Sequence, residues 1–164
     1  MINPNSQTRT DENIPKHRTL ASSTAAHDRG RLIVLMHNLE SALAAASFNR
    51  SDDWNDVVQE ELEHLQSALK QSRADLNADE GLFAEIATDH PRLIVRIEKL
   101  KSEFYDLERQ IETLRGQFCR SMEAPEVADI RERLSWLLKA MRHAQAKENE
   151  LVFEAIGLDL GGGD

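Results

Sequence analysis

The clearest pattern along the chain is an apolar seam at Leu93, Ile97, Leu100, Phe104, Leu107, Ile111, Leu114 and Phe118, in alternating steps of four and three. Steps of that kind return to one face of a 3.6-residue helix, so the segment after Pro91 predicts a long amphipathic helix with an a/d seam. A second stripe, Val127, Ile130, Leu134, Leu137, Leu138, Met141 and Val152, predicts another helix after Pro125, ending at Gly157. Upstream, Trp54, Val58, Leu62, Leu65, Leu69 and Leu76 mark a helix opened by Ser51, with Asp52 and Asp53 favourable in its first turn, and running to about Glu80. Gly81 pauses it, and Leu82–Phe83 and Thr88–Asp89–His90–Pro91 lead on. Leu32, Met36, Leu39, Leu43 and Ala46 give the first helix, from about Ala25 to Phe48.

Four amphipathic helices with short links pack best as sequential neighbours, so the expected fold is all-α, an antiparallel up-down four-helix bundle over residues 26–157. Residues 1–25 are polar, carry prolines and have no period, which predicts a disordered arm. Residues 158–164 read as a Gly-rich tail.

Composition supports long helices in one domain: 164 residues, 40% apolar, 5% aromatic, 7 glycines and 4 prolines. Charge changes the picture more. The net charge is −9, but residues 1–31 hold five basic and three acidic residues, leaving 15 basic against 26 acidic in the rest. A body at −11 repels phosphate backbones, so nucleic acid is not an expected partner. No apolar run is long enough to span a bilayer, so a membrane is not expected either. Cys119 is the sole cysteine; with no internal disulfide available, a cytoplasmic setting is expected.

Chemistry in a bundle would lie between the helices, so placement on the stripe decides. At about 100° per residue, His143 falls roughly 160° from the centre of the last stripe and Glu148 within about 20° of it. His37 falls roughly 130° from the first stripe, and His64 near the edge of the second. The inward carboxylates are therefore Glu148 and, near the end of the second helix, Asp75 and Asp79. A buried carboxylate must be protonated, paired or metal-bound; the alternative for Asp75 and Asp79 is a wet bundle rim, beside Arg73 or Arg142.

Three stretches carry a family resemblance: Asp79–Glu80–Gly81–Leu82–Phe83–Ala84–Glu85–Ile86, Pro91–Arg92–Leu93 with Leu100–Lys101–Ser102–Glu103–Phe104, and Lys147–Glu148–Asn149–Glu150–Leu151 with Asp159–Leu160–Gly161. From about Leu32 onward the chain resembles the hemerythrin-like, or HHE, four-helix bundles, including their bacterial members, which hold a non-haem di-iron centre. The resemblance implies histidine ligands where this chain has Met36, Asp75, Leu100, Phe104 and Ala144, and carboxylate ligands at Asp79 and Glu148. With the histidines replaced, Asp75, Asp79 and Glu148 are the remaining candidate metal ligands. The expectation is a non-enzymatic bundle with a degenerate di-iron site and no cofactor, acting through an unknown protein partner or small molecule. The alternative is a working non-haem iron protein that binds or senses oxygen, if a one-residue shift brought His37 or His143 inward. A ferritin-like oxidase is weaker still, since paired E-x-x-H motifs are absent from the sequence.

Overall fold

A computed structural model describes residues 16–45, 51–120 and 127–161. They form α1 (Lys16–Ala44), α2 (Ser51–Leu76), α3 (Leu82–Asp89), a single 3-10 turn at Pro91–Leu93, α4 (Ile94–Arg120) and α5 (Val127–Gly161). No strand occurs among the described residues, in keeping with an all-α chain. None of these helices is long and apolar enough to cross a membrane.

Among the described residues the count is five α-helices rather than the expected four, because the second helix stops at Leu76 and not at Glu80. The backbone N–H of Asn77 donates to the carbonyls of both Arg73 and Ala74, and its side-chain amide donates to Arg73 as well. Side-chain capture of a last-turn carbonyl competes with the next turn of helix. Gly81 is extended, and α3 starts immediately after it, burying Phe83 and Ile86. Pro91 lacks an N–H and fits at the start of the 3-10 turn that bends the chain into α4.

Two boundaries differ as well. α1 begins at Lys16, so residues 16–25 are helical and not part of a disordered arm. Leu20, Ala21, Ala25 and Ala26 are good helix formers, and no proline interrupts residues 16–44. α5 runs through Gly157 to Gly161, so residues 158–161 belong to the helix and not to a tail. An interior glycine costs roughly 1 kcal/mol relative to alanine, too little to stop a helix of this length. The expected disorder of residues 1–15, the link at 46–50, the opening at Pro125 and the last residues 162–164 lie outside the described residues.

α1 packs on α2, α2 on α4 and α4 on α5, with a sparser contact between α1 and α5; α3 touches α1, α2 and α4. The predicted seam of α4 is buried from Leu93 to Leu114, and Phe118 is half-buried at its end. Leu39, Leu62, Leu69 and Leu134 meet the same core from the other helices. Polar pairs lace the seams: Arg73–Glu108 at 2.8 Å and Arg115–Glu63 at 3.5 Å between α2 and α4, and Lys147–Glu103 at 2.6 Å and Arg96–Glu154 between α5 and α4. Arg142–Glu40 joins α5 to α1. Such surface pairs add little stability individually, typically under about 1 kcal/mol. Their value is in marking which heights of neighbouring helices meet.

One polar contact fixes the α1–α2 corner. Trp54, buried at the start of α2, donates its indole N–H to the Ala42 carbonyl at 2.9 Å. That carbonyl lies in the last turn of α1, a position where helix carbonyls depend on partners from outside the helix. Trp54→Phe keeps most of the ring but removes the donor, and is expected to cost about 1 kcal/mol and to lower Tm by roughly 2–4 °C. Thermal melts of the two proteins check this. An unchanged Tm would mean that water replaces the indole at no cost.

Candidate functional site

The inward register read from the stripes places Met36, Leu100 and Phe104 in the core; these three and Ala144, the fourth apolar residue at a ligand position implied by the resemblance, are all buried. Leu100 and Phe104 are each only 1% exposed. Neither the leucine, phenylalanine nor alanine side chain offers an oxygen or nitrogen donor, and the Met36 thioether is a soft, weak one. His37, His64 and His143 are exposed, so the shift that would turn His37 or His143 inward is not present. His37 instead lies 4.0 Å from the Glu40 carboxylate on its own helix. The donor set does not fit a pair of iron ions.

Of the three candidate carboxylates, the structure brings two together. Glu148 on α5 is 6% exposed, and Asp75, half-buried on the last turn of α2, lines the same cavity. Asp79 does not join them. It follows the end of α2, is exposed, and lines a separate surface depression with Glu80, Glu85 and Asp89.

The cavity measures about 180 Å3 and sits where α1, α2, α5 and the link into α3 meet. Its polar wall is Asp28, Arg29, Ser72, Asp75, Glu80 and Glu148; its apolar wall is Ala78, Leu82 and Phe83. Thus Glu80–Phe83, within a stretch on which part of the resemblance rests, line it, while Asp79 does not. Asp28 and Arg29 were missed in the sequence because the first stripe was counted only from Leu32. Arg29 lies seven residues before Met36 and Asp28 four before Leu32, so extending the same period upstream would have placed both on or beside the inner face.

Burial dominates the electrostatics here. It pushes the Glu148 carboxyl up to about 7; Arg29, whose guanidinium stands 3.8 Å away, pulls against the rise, and Asp75 adds to it. Asp75 is also raised, first by burial. Gln71, donating to its carboxylate at 3.0 Å, opposes the shift, and Asp28 reinforces it. Glu148 receives no hydrogen bond from any described residue, because Arg29 at 3.8 Å is beyond hydrogen-bond reach. Two carboxyl groups that hold protons more tightly than usual, first because of burial, mark a place shielded from water.

Among the described residues, no three His, Cys, Asp or Glu side chains are disposed to hold a metal ion together. A larger concavity, about 640 Å3, lies between α4 and α5 around Trp136, Arg109, Thr113 and Arg133. It is a surface groove: Trp136 is well exposed, and Arg133 pairs locally with Asp129 at 3.1 Å and Gln117 at 2.8 Å. Buried ionisable groups are found at the smaller cavity, which makes it the candidate site. Comparison of the chain with family models, with curated proteins and with solved structures finds no match in any of the three.

Proposed function

We propose that the protein is an antiparallel, up-down four-helix bundle of the hemerythrin-like kind, formed by α1, α2, α4 and α5, whose di-iron site is degenerate and whose work is non-enzymatic binding. The order of the polar pairs supports the arrangement: on α2 and α4, Glu63 meets Arg115 while Arg73 meets Glu108, so one number falls as the other rises. The same inversion holds between α4 and α5, where Arg96 meets Glu154 and Glu103 meets Lys147. α3 is then an insertion closing one end.

The observation that carries the functional reading is the apolar filling of the interior at Met36, Leu100, Phe104 and Ala144. Side chains that complete a hydrophobic core leave nothing with which to bind and activate oxygen on iron. What remains polar and enclosed is the cavity around Glu148 and Asp75, which suits binding rather than redox turnover. The acidic body argues against nucleic acid as the partner, and the lone cysteine suits a reducing, cytoplasmic setting.

Iron content tests the reading. Protein purified without added metal is expected to contain well under one iron per chain by elemental analysis. Near-stoichiometric iron with an oxygen-dependent visible band would overturn it, in favour of a working non-haem iron protein.

A further inference from the structure

Three features of the end cavity call for an occupant. Glu148 is more than nine-tenths buried, lines the cavity, and has the Arg29 guanidinium at 3.8 Å but no hydrogen bond from a described residue. An ionised, buried carboxylate without hydrogen bonds is costly, and a ligand supplying N–H donors and positive charge would relieve that cost. Among the described residues, charge on the wall is also one-sided: Asp28, Asp75, Glu80 and Glu148 stand against Arg29. Finally, the wall is amphipathic, with Ala78, Leu82 and Phe83 opposite the carboxylates.

These features select a class of cation. A bare metal ion needs several hard donors closing on one point, and no three acidic side chains here do so. A cavity of about 180 Å3 has room for on the order of six water-sized groups at about 30 Å3 each. An organic cation of that size brings its own N–H donors in a fan, can serve two carboxylates that line one cavity, and covers apolar wall with its carbon chain.

We propose that this cavity binds a small primary alkylammonium ion, its NH3+ group donating to Glu148 and Asp75 and its short carbon chain lying against Leu82 and Phe83. The inference rests on the non-enzymatic binding reading and names the ligand class for it. Arg29 competes as the resident cation at Glu148, so it sets the affinity rather than forming the ammonium contact.

The test is calorimetric titration of the full chain at pH 8 with n-butylammonium, using n-butanol as the neutral control of similar size and Mg2+ as the bare-cation control. Saturable one-to-one binding of n-butylammonium is expected, at least tenfold tighter than that of either control. Glu148→Gln should weaken it tenfold or more and Asp75→Asn several-fold. Glu150→Gln, on the exposed side of the same helix, should leave it unchanged, and Arg29→Gln should tighten it. Thermal melts of each variant confirm folding, and Asp75→Asn carries the test should Glu148→Gln unfold. No saturable heat from n-butylammonium, equal binding of n-butanol, or undiminished binding by folded Glu148→Gln and Asp75→Asn would each overturn the proposal. Tighter binding of Mg2+ than of n-butylammonium would also overturn it. None of these outcomes touches the binding-bundle reading, which fails on iron content instead.

Discussion

Phe104→Ala is expected to lower the unfolding free energy by about 3–5 kcal/mol, and Leu100→Ala by about 2–5 kcal/mol, the range for large-to-small changes at closed core positions. Both side chains are 1% exposed and occupy the middle of the α4 seam, between Ile97 and Leu107. Removing either loses the transfer free energy of the deleted carbons and leaves a void that neighbours on long, laterally packed helices fill only in part. Against a total stability of roughly 5–15 kcal/mol for a domain, either change takes a large share. The two residues are one helical turn apart, so their effects are not expected to add simply. Urea denaturation measures this directly, with the midpoint falling while the slope stays near that of the parent. A loss below about 1 kcal/mol at Phe104 would mean a loosely filled interior, and the claim that these residues have replaced a metal site would lose its footing.

The second large effect belongs to Glu148 and depends on pH. Its carboxyl titrates near 7 in the folded chain against an ordinary 4.5. Between pH 4.5 and 7 the folded state therefore holds a proton that the unfolded chain has released, and stability falls as pH rises through this window. Below it the group contributes no slope; above about 7 its whole cost is present, about 3 kcal/mol at 1.36 kcal/mol per pH unit. Asp75, shifted in the same direction, adds to the trend. Glu148→Gln mimics the protonated form, so it should be near neutral at pH 4.5 and stabilising by up to about 3 kcal/mol at pH 8. Glu150→Gln, whose parent side chain is 69% exposed, should show no such pH-dependent gain. Denaturation curves for parent and variant at both pH values provide the check, with the difference between the two proteins as the quantity to follow. A difference that stays flat with pH would show that water reaches the Glu148 carboxylate freely.

Much of the candidate site could be read one helix at a time. The period that buries Leu134, Leu137 and Met141 also turns Glu148 inward and His143 outward, because side-chain direction along a regular helix follows from 100° per residue. The same arithmetic placed Met36, Leu100 and Phe104 inside, and the resemblance pointed to Ala144. It failed at the helix ends. Asp79 shares its predicted face with Asp75 only while the helix continues, and α2 ends at Leu76, where Asn77 takes the Arg73 carbonyl. Asp28 and Arg29 escaped notice although the expected first helix, from about Ala25, contained both, because its apolar stripe was counted only from Leu32.

What the sequence determined by itself is the all-helical character and the inner face of each long helix, both local consequences of periodicity and propensity. The tertiary structure alone decided that Asp28 and Arg29 from α1, Asp75 from α2, the Gly81–Phe83 segment and Glu148 from α5 meet around one cavity. Relative height, tilt and the point at which a helix stops are set by how side chains from several helices interlock, and no periodicity within a single helix encodes them.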